Sequence, residues 1–339
     1  MITPLEPWMA RQLQKEPNRT NIETAQLKSL QTVISLVRES SPWYHTLFAG
    51  LPLPDTLAGI QRYPLTTATD LRRSPLDFLC VSQDHIERVV TLRTSGTSGS
   101  PKRIFFTAED LEHTVDFFAQ GMQTLAKPSW PVLILMPGPK PASIGDLLSQ
   151  GLARFGARPI LCPPQSAPTE LIKKIQALKI QTIVTPPMVL DRLLNHTDPK
   201  QLAGNQVETV LVSSDTLSAS LRSRIETRLG CRVFDHWGMT ETGYGGGVEC
   251  TAHQGYHLRE LDLLIEIIDP LTTTPLVDGC AGEIVVTTLT RTGMPLVRYR
   301  TGDISRIIPG PCPCGSRIRR LDSITGRKDT APPKALRTE

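Results

Sequence analysis

The chain has 339 residues, 39% of them hydrophobic and 21% charged, the composition of a globular protein long enough to build cores of its own. Its net charge of +4 is small for that length, and no block of Lys and Arg interleaved with aromatic residues appears, which argues against nucleic acid as a partner. No apolar run approaches ~18 residues and no charged segment precedes an apolar one at the N-terminus, so neither a membrane nor a secretory route is expected and the reading is cytoplasmic.

Between residues 21 and 38, Leu27, Leu30, Ile34 and Val37 recur at helical spacing and predict an amphipathic helix. A stretch punctuated by proline follows, opening on Ser41, Pro42, Trp43 and Tyr44 and running to Leu79. His45 has no partner nearby in sequence and reads as structural. Residues 85–93 and 103–107 read as two strands of a hairpin. The loop between them contains Thr94, Ser95, Gly96, Thr97, Ser98, Gly99, Ser100, Pro101 and Lys102. Glycines permit positive φ and close backbone approach, while N–H groups, hydroxyls and the ammonium can meet the oxygens of a polyphosphate. A Walker A loop is excluded because Pro101 precedes the lysine and a strand follows where a helix is required; a dinucleotide fingerprint is excluded because no Gly-x-Gly occurs in the loop.

After the hairpin, Thr107 and Asp110 resemble a capping box, with Leu111, Val115, Phe118 and Met122 at helical spacing behind it. From residue 132 strands and helices alternate: strands at 132–136, 158–162, 181–184, 207–212 and 231–237, helices at 144–155, 169–178, 188–194 and 219–229. This alternation predicts an α/β fold with a doubly wound, mostly parallel sheet. Ligands of such sheets bind beyond the carboxyl ends of the strands. The strand ends are Thr185 with Pro186 and Pro187, then Ser213, Ser214 and Asp215, then Trp237, Gly238, Met239, Thr240 and Glu241. All should share one rim. Glu241 is placed as a hard oxygen ligand for a nucleotide-bound Mg²⁺, and Trp237 offers a flat ring to a purine, with an N-capping Glu and a core Trp as the alternatives. His236 is grouped with them as a nucleotide contact.

Beyond residue 245 the strands 263–268, 282–288 and 295–300 follow one another without helices, which predicts a smaller antiparallel β unit. Thr301, Gly302 and Asp303 read as a tight turn whose carboxylate could grip two vicinal hydroxyls. The expected division is 1–245 as the α/β region, 246–329 as the antiparallel unit and 330–339 as a disordered tail.

Seven cysteines, an odd number, argue against a disulfide framework. Cys80, Cys162, Cys231 and Cys280 read as small core residues. Cys312 and Cys314 flank a proline, and with Cys250 and His257 they could complete a structural Zn²⁺ site, His253 being the competing fourth ligand and free thiols the alternative.

Collected in order, Ser41 to Tyr44, the 94–102 loop, Trp237 to Glu241, residues 282–290, residues 294–303 and Gly326 with Arg327 resemble the acyl-adenylate-forming enzymes, within them the phenylacetate–CoA ligase-like group. The resemblance implies that residues 94–102 hold the β- and γ-phosphates of ATP, that Trp237 lies beside adenine and that Ser213, Ser214 and Asp215 form the adenine loop. It further implies Thr240 at the α-phosphate, Glu241 on Mg²⁺, Asp303 on the ribose, and Arg327 on the ribose and a neighbouring phosphate. The implied reaction converts a carboxylic acid and ATP to acyl-AMP and pyrophosphate, with CoA or an acyl-acceptor protein taking the acyl group. Relatives continue past the Gly326–Asp329 hinge into a lid domain that carries the adenylation lysine. Its expected absence implies slow or partner-dependent turnover, Lys102 remaining as the cation at the phosphates. Residues 137–145 depart from the family around the acyl group, so the acid is not legible. An acyl-protein synthetase and a non-catalytic nucleotide-binding module stay open, as do a separate lid polypeptide and a homodimer.

Overall fold

A computed structural model describes residues 2–92, 101–138, 140–198, 202 and 204–327. Residues 94–100 of the predicted phosphate loop, Lys328 and Asp329 of the hinge, and the 330–339 tail lie outside them.

The first helix, α1 (Leu5–Leu13), has no counterpart in the sequence reading, and it is tied down by Trp8, whose indole N–H donates to Asp116 at 2.7 Å. The predicted amphipathic helix is α2 (Arg19–Ser40), capped by the Asn18 side chain and burying Ile22, Leu30, Val33, Ile34 and Val37. Ser41 then caps α3 (Pro42–Leu47), whose Tyr44 is fully buried and bonded to Thr66 and to the backbone of Val297. His45 bonds the Arg38 carbonyl through Nδ1 at 2.8 Å, in keeping with its structural reading. A short helix, α4 (Ala68–Arg73), precedes the hairpin.

Strands β1 (Ile86–Leu92) and β2 (Lys102–Thr107) pair antiparallel with Leu92 opposite Lys102, as the hairpin reading requires. The helix that follows, α5 (Ala108–Met122), begins at a true capping box: Thr107 Oγ1 accepts from Asp110 N–H and Asp110 Oδ2 from Thr107 N–H. The alternation then appears as β3 (Pro131–Ile134), α6 (Ile144–Arg154), β4 (Arg158–Leu161), α7 (Pro168–Ala177), β5 (Thr182–Thr185), α8 (Pro187–Asn195), β6 (Thr209–Val212), α9 (Ala219–Leu229) and β7 (Arg232–Trp237). These strands pair in parallel in the order β4-β3-β5-β6-β7. The central strands β3, β5 and β6 are buried along their whole length because both faces are covered, whereas the edge strand β4 is partly exposed. On β3, Val132 and Ile134 join the core shared with α5 and α6, while Leu133 joins the core under α7, α8 and α9.

At β7 the pairing changes hand but the sheet does not end. The strands β8 (Gly247–Glu249), β9 (Tyr256–Leu258), β13 (Ile307–Ile308) and β14 (Arg320–Leu321) add antiparallel, giving nine strands in the order β13-β14-β9-β8-β7-β6-β5-β3-β4. Of the strands after β9, β10 (Leu263–Ile268), β11 (Gly282–Thr288), β12 (Tyr299–Ser305) and β15 (Gly326–Arg327) form a separate antiparallel sheet.

Three sequence readings need correction. The strand expected at 295–300 starts only at Tyr299, because Pro295 has no N–H to donate and Arg298 sits at φ 49°. Thr301, Gly302 and Asp303 are not a turn: they lie inside β12, where Gly302 at φ 80° and a register slip opposite Glu283 and Val285 make a bulge. Cys280 is exposed rather than a core residue, whereas Cys80, Cys162 and Cys231 are buried. No described helix is long and apolar enough to cross a membrane.

Candidate active site

The carboxyl ends of β6 and β7 open into a cleft of about 270 Å³ walled by Ser214, Asp215, Asp235, His236, Trp237, Gly238, Met239, Tyr256, Asp303 and Arg327 among others. Of the strand-end residues singled out in the sequence, Ser214, Asp215, Trp237, Gly238 and Met239 meet on its wall, whereas Thr185, Pro186, Pro187, Ser213, Thr240 and Glu241 are not part of it. Ser214 adopts φ 79°, which turns the chain sharply away from β6 and leaves Asp215 exposed at the lip.

Asp303 reaches the cleft because the bulge at Gly302 re-aims it. Its Oδ2 accepts from the Trp237 indole N–H at 3.2 Å, and its Oδ1 lies 3.4 Å from Arg327 Nε, the two residues being register partners across β12 and β15. Burial raises the Asp303 pKa, against the pull of Arg327 and of the Trp237 hydrogen bond. Trp237 itself is 4% exposed, its ring close under Gly246, where an added Cβ would lie 2.3 Å from the indole. It thus supports the carboxylate as well as walling the cleft.

Glu241 sits in the one-turn helix Thr240–Thr242, which Thr242 Oγ1 closes by accepting from Met239 N–H at 3.1 Å. The carboxylate is 3% exposed. Its Oε1 meets the Lys102 ammonium and accepts from Tyr299 OH at 2.9 Å, and Lys102 lies 3.2 Å from the same phenol. Burial, with Glu241 next, lifts Tyr299 well above the ordinary tyrosine range, so it stays a donor. Two buried arginines fix the backbone of this turn. Arg291 donates to the carbonyls of Glu241 at 3.1 Å and Phe105 at 2.6 Å, tying the turn to β2, and Arg259 donates to Thr242 O at 2.6 Å. Sequence reading missed Tyr299, Arg259, Arg291 and Asp235. Tyr299 lay within a quoted motif, but nothing in the sequence said that its phenol would reach Glu241.

His236 stands between this cleft and a second, smaller cavity of about 40 Å³. Its Nδ1 is 3.2 Å from Ser213 Oγ, and its Nε2 is buried with no partner among the described residues. Burial, helped by the charge of Arg259, lowers its pKa to about 4, so the ring is neutral at pH 7.

A separate cluster brings together Cys250, His257, Cys312 and Cys314, with all ligand atoms within 4.8 Å of one another. Cys250 and Cys312 are 3.6 Å apart, sulfur to sulfur, and Cys314 is 3.6 Å from His257 Nε2. A tetrahedral ion with bonds of ~2.3 Å to sulfur and ~2.05 Å to nitrogen sets those edges at ~3.8 and ~3.6 Å. Burial pushes the Cys250 thiol up to about 12, whereas Cys314 is lowered, hydrogen bonds from Ser316 and Cys312 outweighing its burial. His253 is not in the cluster; it bonds Glu249 at 3.1 Å and packs on Phe234.

The sequence relatives make this an adenylate-forming enzyme of the acid–thiol ligase type. The profile of the AMP-binding enzyme family matches residues 66–290. The chain belongs to that family. It is 30% identical over 331 residues to a phenylacetate-coenzyme A ligase of Escherichia coli, covering 91% of this chain and 73% of that one. It is 29% identical to the enzyme of the same description from Thermus thermophilus, over 92% of this chain and 71% of that one. Among solved structures, an open conformation of 2-hydroxyisobutyryl-CoA ligase in complex with 2-HIB-AMP and CoA superposes with a TM-score of 0.80 at 22% identity, covering 92% of this chain and 76% of that chain.

Proposed function

We propose that the enzyme joins a carboxylic acid to AMP at the expense of ATP and passes the acyl group to the thiol of CoA. In the first half, a carboxylate oxygen attacks the α-phosphorus as the bond to pyrophosphate breaks, a transfer that needs alignment and charge stabilisation rather than a protein nucleophile. The reading is supported by two ion pairs, Asp303 with Arg327 on the wall of the cleft and Glu241 with Lys102, the charge of Glu241 also acting on Asp303.

Asp303 is suited to two vicinal ribose hydroxyls, Arg327 to the ribose and a neighbouring phosphate, and Ser213, Ser214, Asp215, Gly238 and Met239 to the base. Thr240 stands for the α-phosphate and Lys102 for the charge on the outgoing pyrophosphate. Residues Thr94, Ser95, Gly96, Thr97, Ser98 and Gly99 remain the sequence-based candidates for the β- and γ-phosphates. Glu241 fits a Mg²⁺ ligand: it is a buried carboxylate, a hard oxygen donor whose charge Lys102 balances in the structure. The metal, when bound, would supply further neutralisation of the phosphate oxygens. The Cys250, His257, Cys312 and Cys314 set fits Zn²⁺ with no open position, a scaffold role. A cytoplasmic location belongs to the same reading.

The test is pyrophosphate release with ATP, Mg²⁺ and a panel of acids, followed by thioester formation on adding CoA. Turnover with at least one acid supports the reading. Calorimetric binding of ATP with no turnover on any acid would replace it with a non-catalytic nucleotide-binding module, and acyl transfer to a protein thiol in preference to CoA with an acyl-protein synthetase.

A further inference from the structure

The two sequence relatives named above are phenylacetate ligases, yet the cavity that shares His236 with the cleft is too small for a phenyl ring. Phe117, Phe118, Gly121 and Met122 on α5 face Leu148 of α6 and Val248 of β8 across about 40 Å³ of space. A cavity of roughly 150 Å³ is what houses benzene, so this one takes only a few heavy atoms. Its walls are apolar apart from Ser213, His236 and Tyr244, the first two lying 3.2 Å apart. His236 also lines the nucleotide cleft, and its buried, unpartnered Nε2 supplies the hydrogen-bonding position at the passage between the two spaces. A carboxylate at His236 would therefore face the α-phosphate with its apolar body pointing into the cavity.

We infer that the acid is a short aliphatic one, with about one to three carbons beyond the carboxylate, and that aryl acids are rejected for size. The inference rests on the proposed adenylation reading and adds the substrate class to it. Protein interiors are packed too densely for a ring to be accommodated without displacing the Phe117 and Met122 side chains. Each methylene that cannot be housed costs roughly 10- to 200-fold in kcat/KM.

Gly121 offers a clean lever. A methyl group added there meets only Val248 Cγ1, at 3.5 Å, an ordinary contact, and lies on the cavity wall. Gly121→Ala should fold without strain, because alanine is the better helix former, while filling part of the space. Leu148→Ala does the reverse.

The experiment measures kcat/KM for pyrophosphate release with acetate, propanoate, isobutyrate, benzoate and phenylacetate, and calorimetric binding of the same acids. The wild-type enzyme is expected to prefer propanoate or isobutyrate to phenylacetate by at least tenfold. Gly121→Ala should shift the preference tenfold toward acetate over isobutyrate with the melting temperature held or raised, and Leu148→Ala should improve benzoate or phenylacetate. Phenylacetate equalling propanoate in the wild-type enzyme overturns the inference and leaves adenylation standing. If no acid is turned over, an order of binding by size, moved by Gly121→Ala, supports the cavity assignment while the enzymatic reading falls. Binding with no order by size overturns the inference.

Discussion

Glu241 is the residue on which the charge balance of the site turns, since its buried carboxylate is matched by Lys102 and held by Tyr299. Removing one partner of a buried pair leaves the other uncompensated, so an alanine there would mix lost chemistry with lost stability. Glu241→Gln keeps the shape and removes the charge. We expect it to lower Mg-ATP-dependent pyrophosphate release by about 10²- to 10³-fold with the circular dichroism spectrum unchanged; undiminished activity would remove Glu241 from the site. His236 makes a prediction about pH. Its folded pKa of about 4 lies below the unfolded value near 6.5, so the unfolded chain binds a proton that the folded chain refuses, and stability is lost as pH falls through that window. Asp235, pushed up to about 6 by burial, works in the opposite direction below pH 6 because the folded chain keeps its proton. The difference between wild type and His236→Gln isolates the histidine: urea midpoints should fall from pH 6.5 to 4.5 by more in the wild type. Equal slopes would contradict the buried, neutral ring.

At the scale of elements, the loop carrying Cys312 and Cys314 meets Cys250, just past β8, and His257 of β9 at the four-residue cluster, in addition to the core contacts of Ile307, Ile318 and Leu321 around it. Three cysteine sulfurs so close cannot all ionise without a cation, and a dication would permit it. One zinc per chain by elemental analysis is the expected outcome, and chelation under mild denaturant, or Cys312→Ser, should lower the melting temperature by several degrees and leave β1 to β7 intact by hydrogen exchange. A metal-free protein with undiminished stability would sink the assignment. Much of this scale was legible beforehand. Thr107 and Asp110 announced the start of α5 through local hydrogen-bonding chemistry, and the apolar run at 132–136 carried the signature of a strand covered on both faces. What escaped depends on partners distant in sequence. The bulge at Gly302 exists because β11 slips register opposite it, and α1 is fastened by Asp116, more than a hundred residues away. The rim of the site could be read because strand ends follow from topology. The grip of Tyr299 on Glu241, and of Arg291 on the Glu241 and Phe105 carbonyls, could not, since neither arginine nor tyrosine signals which carbonyl or carboxylate it will meet.

Over the whole molecule, β7 lies inside the nine-stranded sheet with β6 on one side and β8 on the other, while β1 and β2 form a ribbon that, among the described residues, pairs only with itself. A nucleotide bound as proposed would have its base at the end of β7 and its phosphates at the start of β2. The two ends of one ligand would then rest on foundations of unequal stiffness. Backbone amides of 232–237 should already be slow to exchange in the free protein, with little left to gain. Those of 102–107 should start faster and slow sharply when Mg-ATP is added, so that mass spectrometry of deuterium uptake would record nucleotide arrival chiefly as a quieting of the ribbon.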